Sequence, residues 1–380
     1  MKVLGGRTIV ESYFLYCRTL LTVFAAIFFL CSFDGCSRER AKLASPLPSA
    51  IAQYLKGVHS FNTLVALVDS ITLQSSDSSD IQFLSSVAVS PSGLIGVSDV
   101  GRNQILLFSH QGAFVASVGE KGSGPGQMLQ PRGVSFDRSG DILAADHGNA
   151  RVNIYDPSGK FSHDFRLKAG APLAVIEDSS SYFVVTSSLV ETGTIQKYSQ
   201  DGQFLSSFGR SPQILRKIGI PINGGSIALG DHDILYYVHP ADYDLQIFDV
   251  QGNLLREVVN PTGSFRSPTQ PPKAITPSAI DAWNRSWDII KALVYTKPGV
   301  LLLTYQDRSQ SADTISNVID VFDGAGNFLT GGIRTDFLPM CSDTNGLIYA
   351  LKQTPGSLLS AKNPTVYVFR LCPLPGGNKP

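Results

Sequence analysis

The sequence predicts an all-β fold, a six-bladed β-propeller with four-stranded antiparallel blades, on three observations. Short apolar runs separated by turn signals repeat with a period of about 40 to 50 residues, the length of one blade. One aromatic residue recurs in each repeat. A strand-like run from Thr63 to Leu73 precedes the first complete repeat, and the last repeat lacks a fourth strand.

The clearest repeat is the segment Pro131 to Phe165, which becomes the second blade. Its apolar runs are divided by Asp-Arg-Ser-Gly, Asp-His-Gly-Asn and Asp-Pro-Ser-Gly, each of which is typical of a turn. We therefore expect antiparallel strands at 132–136, 142–146, 151–156 and 161–166. The segment one period earlier shows the same succession of serine, glycine, aspartate and aromatic positions.

The aromatic residue of the third strand gives the number of blades. A glycine follows four residues after each of the first five aromatics, where the chain turns into the fourth strand. The six aromatics are Phe108, Tyr155, Tyr198, Phe248, Phe322 and Phe369. One interval, from Phe248 to Phe322, is much longer than the others, which indicates an insertion between blades 4 and 5.

The ends of the repeat array predict how the ring closes. After Phe369 the chain runs into a Pro- and Gly-rich tail, so the sixth blade has no outer strand of its own. The run Thr63 to Leu73 is placed to supply it, which would hide two free strand edges. The predicted domain is 62–372, with a C-terminal tail at 373–380.

Composition excludes two classes of protein. The 380 residues carry 31 basic and 31 acidic side chains, and this balance argues against a nucleic-acid partner. Disorder is excluded because 43% of the residues are apolar. By its length the chain could contain two or three domains of usual size, but six blades of one domain explain the length better.

The first 36 residues are predicted to target the chain for export. Basic residues precede an apolar run, Thr19 to Phe33, that is shorter than a spanning helix requires. Cys36, between Gly35 and Ser37, resembles the lipidated cysteine of bacterial lipoproteins. Lipidation, an uncleaved anchor and ordinary cleavage stay open, and each places the remainder on the periplasmic or extracellular side. We expect a membrane partner through this segment and a tether over 37–61.

Two cysteines remain in the folded part, Cys341 and Cys372. In an oxidising compartment they are candidates for a disulfide, with two buried free thiols as the alternative.

Blade 2 and the loop before it carry a dense set of motif residues: Gly122, Gly124, Pro125, Gly126, Gln127, Pro131, Gly133, Val134, Asp137, Gly140, Ala145, Asp146, Asn149, Arg151 and Tyr155. This pattern resembles the NHL-repeat group of six-bladed β-propellers. In blade 1 the aspartate is kept as Asp99, but Gln104 replaces the arginine, and blades 3 to 6 keep only the strand rhythm and the aromatic. The resemblance implies the fold; because the group includes binding scaffolds and enzymes, it implies no reaction.

A ligand site is expected over the central channel, on the face formed by two kinds of loop: those joining second to third strands and those joining successive blades. The insertion lies on this face. Thr276 followed by Pro277 predicts a helix start, and the only two tryptophans, Trp283 and Trp287, would share one side of it. That helix is either a plug packed on the blade edge or a lid over a ligand pocket.

The polar candidates on this face allow two functions. Asp146, Asn149 and Arg151 are interpreted as turn-stabilising residues. Arg102, Arg132 and Arg308 are candidates for gripping an anionic group. His147 and His239, with Asp99, Asp242, Asp244 and Asp307, are candidates for a divalent metal or for acid–base chemistry.

The preferred hypothesis is an envelope-anchored module that binds a small molecule or a protein without catalysis and without a cofactor. The alternative is a metal-dependent, lactonase-like hydrolase or lyase that uses His147, His239 and the channel carboxylates.

Overall fold

The computed structural model describes residues 43–74, 80–187, 193–212, 224–270, 272–273, 276–309, 316–353 and 363–372. The predicted signal segment, Cys36 and the tail 373–380 lie outside these ranges. No helix within them combines the length and apolar character needed to cross a bilayer.

Six four-stranded antiparallel sheets, the blades, form the fold, so the predicted all-β propeller is confirmed. Blade 1 contains β2 (Leu84–Val89), β3 (Ile95–Asp99), β4 (Gln104–Phe108) and β5 (Phe114–Val118). Blade 2 contains β6 (Pro131–Phe136), β7 (Ile142–Asp146), β8 (Arg151–Tyr155) and β9 (Phe161–Arg166). Blade 3 contains β10 (Pro172–Glu177), β11 (Ser181–Thr186), β12 (Ile195–Ser199) and β13 (Phe204–Phe208).

The second half of the ring repeats this arrangement. Blade 4 contains β14 (Ser226–Leu229), β15 (Ile234–Val238), β16 (Asp244–Asp249) and β17 (Leu254–Val259). Blade 5 contains β18 (Ile289–Thr296), β19 (Val300–Gln306), β20 (Asn317–Asp323) and β21 (Phe328–Thr335). Blade 6 contains β22 (Phe337–Ser342), β23 (Leu347–Lys352) and β24 (Thr365–Leu371), and its fourth strand is β1 (Val65–Thr72).

The ring closes as the sequence predicts. Strand β1 pairs antiparallel with β24 from Val65 opposite Leu371 to Thr72 opposite Thr365. The first strand of the domain thereby completes the last blade, and the sheet edges that an open array would expose are paired.

Each apolar core lies between two neighbouring blades. Between blades 1 and 2, for example, Ile105 and Leu107 pack with Ile142 and Tyr155. All six third-strand aromatics are buried, with at most 5% of their surface exposed. The five glycines that follow them all have positive φ, from 78° to 88°, the backbone conformation that favours glycine.

Residues 43–61, predicted as part of a tether, are instead packed on the propeller. Helix α1 (Ser49–Lys56) buries Leu55, and the short helix α2 (Phe61–Leu64) buries Leu64 in the core between blades 5 and 6. Thr330 of β21 donates a hydrogen bond to the Val58 carbonyl (2.6 Å). The prediction was wrong for 43–61 because the prolines and serines that suggested a tether are interspersed with apolar residues that face this core.

The insertion between blades 4 and 5 contains helix α3 (Pro277–Arg285), as expected. The side chain of Thr276 caps it by accepting from the Ala279 backbone N–H (3.2 Å). Two single 3-10 turns, His147–Asn149 and Asp231–Asp233, complete the described helical structure.

Gly112 provides a test of the closing seam. It has a φ of +87°, and a Cβ there would lie 2.2 Å from the Thr72 carbonyl oxygen of β1. Gly140 has a similar φ of +90°, but its Cβ would meet nothing closer than 3.7 Å. Gly140→Ala should therefore cost about 1 kcal/mol from backbone strain alone.

Gly112→Ala should cost about 2 kcal/mol more than Gly140→Ala, because the closing strand must move. Urea unfolding of both variants measures the difference. Equal losses would show that β1 is not held tightly against blade 1.

Candidate functional site

The loops that join second to third strands and the loops that join successive blades lie together on one side of the ring, here called the loop face. Asn149 Nδ2, after β7, donates to the Gly122 carbonyl (3.0 Å), before β6. Asp99, at the end of β3, accepts from the backbone N–H groups of Gln82 (2.8 Å) and Phe83 (2.9 Å), before β2.

Asp146 and Arg151 stabilise the loops of blade 2. Asp146 is fully buried and accepts from Leu129 N–H (2.8 Å), Asn149 Nδ2 (2.7 Å) and Arg151 Nε (2.9 Å). Arg151 also donates to the carbonyls of Gly124 and Gln127 (2.7 Å each). These groups have used their hydrogen-bonding capacity inside the fold, as the turn-stabilising interpretation requires.

Asp99 and Arg102 serve the same structural purpose in blade 1. Besides its two bonds before β2, Asp99 accepts from the N–H of Gly101 (3.0 Å) and of Arg102 (3.2 Å). Arg102 donates to the Asp80 carbonyl (3.0 Å). Asp99 is fully buried, and its carboxylate is directed at these backbone N–H groups.

His147 is half-buried beside blade 3. Its Nδ1 donates to the Pro172 carbonyl (3.1 Å). Burial lowers the pKa of His147 below its usual value, and nearby Arg132 adds to this effect. The ring is thus a neutral group that joins blades 2 and 3.

His239 lies in blade 4, in a small cavity of about 210 Å³ that Asp242, Asp244 and Arg210 also line. Its Nδ1 accepts from the Ala241 backbone N–H (3.1 Å), and burial lowers its pKa to about 3. Burial raises the pKa of Asp242, and it raises the pKa of Asp244 to about 6. Arg210 forms ion pairs with Asp244 (3.4 Å) and Glu257.

The two candidate histidines do not share a site. Asp99 is in blade 1 and His147 in blade 2, whereas His239 lines the small cavity of blade 4 with Asp242 and Asp244. Across the described part of the chain, no three His, Cys, Asp or Glu side chains are grouped so that they could hold a metal ion. Asp307, the remaining carboxylate, pairs with Arg334 (2.7 Å).

The two tryptophans, Trp283 on helix α3 and Trp287 just after it, are buried. Trp283 and Trp287 are 6% and 2% exposed, with ring centroids 5.8 Å apart. Trp283 Nε1 donates to the Thr269 carbonyl (3.0 Å). Arg308 lies over the Trp287 ring at 5.2 Å and donates to the Asn284 carbonyl (2.6 Å). These contacts favour the plug over the lid, since neither indole is open to a ligand.

Cys341 and Cys372 are free, partly buried thiols, so of the two alternatives the disulfide is not formed. Cys341 is on β22 and Cys372 follows β24, two strands away in the same sheet. Cys341 is level with Val368, four residues before Cys372. Two strand spacings and four residues of rise separate their Cα atoms by on the order of 15 Å, well beyond disulfide reach. Burial raises the pKa of Cys341 to about 12.

The central channel forms a cavity of about 540 Å³ that is lined by the inner strands of all six blades. Arg132 lines it at the loop-face end, since β6 begins one residue earlier. Its Nε is buried and has no hydrogen-bond partner among the described residues. Of the predicted site residues, Arg132 is the one that the structure places in the channel wall with unused donors.

Lys291 also lines the channel, and sequence reasoning missed it. Helix α3 ends at Arg285, and Lys291 belongs to the inner strand β18. The available signal was a single lysine inside a short apolar run, with Ile289 and Ile290 before it and Ala292 and Leu293 after it. No Asp or Glu is among the described residues of the channel wall.

Comparisons with known proteins agree with the fold. A family model, DUF5128, described as a 6-bladed beta-propeller, matches residues 54–260, more than half of the chain. The chain is 30% identical over 148 residues to Protein brain tumor of Drosophila melanogaster, which confirms the resemblance to NHL-repeat proteins. That match covers 37% of this chain and 13% of the relative, so the chain spans a small part of that protein.

Two solved structures share the architecture over most of their length. A duf4221 family member from Bacteroides vulgatus has a TM-score of 0.61 at 11% identity, covering 82% of this chain and 99% of that one. A putative exported protein from Bacteroides fragilis has a TM-score of 0.56 at 13% identity, covering 83% and 98%. At such identities the likeness shows the fold alone.

Asp244 gives a pH-dependent prediction for the small cavity. Its folded-state pKa of about 6 exceeds the ordinary 3.8, so ionisation of this carboxyl opposes folding. The penalty is absent near pH 4, grows as the pH rises, and is complete above about pH 6. Asp244→Asn should therefore stabilise the protein at pH 8 by about 1 to 3 kcal/mol, with no gain at pH 4.

Asp281→Asn is the matched control. Its pair with Arg285 lowers the pKa of Asp281, so loss of this carboxylate should slightly destabilise the protein at pH 8. Urea unfolding at the two pH values measures both variants. A stability of Asp244→Asn that follows the wild type at every pH would contradict the raised pKa.

Proposed function

The chain belongs to the DUF5128 family of 6-bladed beta-propellers, and from that premise we propose that it is a non-catalytic binding module of the cell envelope that takes its ligand at the loop-face mouth of the central channel. The observation that carries this proposal is the channel itself. Its volume of about 540 Å³ lies within the range of small-molecule sites.

The channel wall has the composition of a ligand site. Near the loop face it presents Arg132, Lys291, Ser226 and Gln353, which supply hydrogen-bond donors and acceptors. Deeper in the channel the wall combines apolar residues such as Val134, Val175 and Ile227 with serines such as Ser86 and Ser135. Polar groups set among apolar wall surface orient a ligand and bury its remaining surface.

The side chains considered for catalysis support binding over chemistry. The Nδ1 atoms of His147 and His239 are both engaged by backbone groups, and the two residues lie in separate blades. Burial lowers the pKa of both histidines, so neither is protonated near neutral pH. The metal-dependent hydrolase or lyase has no specific observation in its favour among the described residues.

The envelope location rests on the sequence. A basic, apolar and then polar succession ends at Cys36, and all three ways of processing it export the propeller. A solved propeller of similar architecture is itself described as a putative exported protein. We propose lipidation of Cys36 as the form of the anchor.

A tryptophan placed in the channel wall tests the binding function. Ser226 is half-exposed in the channel wall, so Ser226→Trp should fill the mouth. Gln251 is exposed on the hairpin after β16, at the opposite face, and Gln251→Trp is the control. Calorimetric titration with a library of neutral sugars, carboxylates and short peptides should reveal ligands that bind the wild type and Gln251→Trp alike.

Ser226→Trp should weaken those ligands at least tenfold. Mass spectrometry should return each ligand unchanged, since no chemistry is expected. Three results would contradict the proposed function: ligands that bind Ser226→Trp equally well, ligands returned in altered form, or a library in which Ser226→Trp weakens no ligand.

Intact mass of the protein from a lipoprotein-processing bacterial host tests the anchor. The expected product begins at an acylated Cys36, and Cys36→Ser should lose the acyl mass while Cys31→Ser keeps it. A retained Met1 would show an uncleaved anchor, and an unmodified new terminus would show ordinary cleavage.

A further inference from the structure

The inner strands of five blades carry an irregularity, which lies at one level in blades 1, 2, 3 and 5 and about two residues deeper in blade 6. Each strand starts at or just after the loop face and gains one or two residues without a partner on the second strand, as in a β-bulge. These interruptions fall between Leu84 and Ser86, Pro131 and Val134, Pro172 and Ala174, Ile290 and Ala292, and Pro339 and Cys341. A bulge redirects the extra side chain, so this level of the ring is specialised.

The extra residues face the channel. All of them line it, and each is more exposed than the buried residue before it. Lys291, for example, is exposed between buried Ile290 and Ala292. Blade 4 has no bulge, and Gly225 lines the channel at its start. The ring at this level is Ser85, Arg132, Leu173, Gly225, Lys291 and Leu338, and Met340 lies deeper in blade 6.

The order of these residues places two cations opposite each other across the channel. Blades three apart in a closed ring of six face each other, so Arg132 of blade 2 is opposite Lys291 of blade 5. By the same count Ser85 is opposite Gly225, and Leu173 is opposite Leu338, with Met340 deeper in the same blade. One diameter of the mouth therefore ends in two cations, and apolar side chains border the next.

Both cations lack a counter-charge. Arg132 and Lys291 form no ion pair or hydrogen bond among the described residues, and no described carboxylate lines the wall. Enclosure by the channel wall, followed by the nearby Arg308, lowers the pKa of Lys291. That direction is expected for an ammonium group without an anionic neighbour.

We propose that the channel mouth binds a small dianion, with one anionic group on Arg132, the other on Lys291, and an apolar spacer passing between Leu173 and Leu338. This deepens the binding function proposed above and rests on it. Carboxylate and phosphate share the required chemistry, since both accept the paired donors of a guanidinium and the point charge of an ammonium.

The geometry favours one small molecule over an extended polyanion. The two cations oppose each other inside a cavity of about 540 Å³, whereas a polymer would require cations distributed along the outer surface. The formal charge of the whole chain is zero, so the attraction is local to the mouth.

Calorimetric titration of the full-length chain with a graded ligand series tests the proposal. The series contains α,ω-dicarboxylates from succinate to sebacate, monocarboxylates of matched length, and the corresponding alkane bisphosphonates. We expect one spacer length to bind best and its monocarboxylate to bind about ten- to a hundredfold more weakly. The preferred anion distinguishes a carboxylate from a phosphate ligand.

Substitutions then assign the two contacts. Arg132→Met and Lys291→Met should each weaken the best dianion about ten- to a hundredfold, and either should affect the monocarboxylate less than the dianion. Arg132→Lys and Lys291→Arg should retain most of the affinity, which separates loss of charge from a folding defect. Lys160→Met, at the exposed hairpin after β8 on the opposite face, should bind as the wild type does.

Three outcomes would overturn the dianion site: dianions and monoanions that bind equally, dianion affinity unchanged in both Met variants, or no dianion binding. If dianions do not bind but neutral ligands bind and are weakened by Ser226→Trp, the binding function stands and only its assigned chemistry fails. If neither class binds, both proposals fail.

Discussion

Closure of the ring is the constraint on which the rest of this structure depends. A four-stranded blade has two apolar faces, and each can be buried only against a neighbouring blade, so an open row of blades would leave two faces and two sheet edges exposed. Pairing of β1 with β24 joins the ends of the domain over 300 residues of chain and buries Ile71 and Leu73 against blade 1. Helices α1 and α2 reinforce the same seam from the side of blade 5. The segment before the first repeat is therefore part of the fold.

Closure also decides which polar groups are available for function. The loop face is rich in charged residues, but most of them hold the connections between blades together. Asp99 and Asp146 bind backbone N–H groups, Arg151 binds carbonyls, and His147 joins two blades. Buried groups with satisfied hydrogen bonds stabilise loops and have little left to offer a ligand. The cations of the inner strands differ, because β-bulges direct them into the channel, where no described side chain pairs with them.

The pattern of repeats was enough to predict the blade number, the closing strand, the insertion and the strands of blade 2 to within a residue. These features depend on local alternation, turn chemistry and a recurring aromatic, and each leaves its signal in adjacent residues. The tether predicted over 37–61 was wrong for residues 43–61, because the prolines and serines were visible in the sequence but the core that receives Leu55 was not. For a similar reason the sequence left open whether Cys341 and Cys372 are bonded, since the number of strands between two cysteines is a property of the sheet.

For the candidate site, the sequence by itself determined the inventory: a loop face with histidines, carboxylates and arginines, and two tryptophans on an inserted helix. It also determined that the closed domain would have a channel. Only the tertiary structure decided which of these residues meet, since the facing of blades 2 and 5 depends on the closed ring and on bulges that shift the strand register. Arg132 and Lys291 are far apart in the chain and share no motif, and they face one channel because blades three apart in a ring of six are opposite each other.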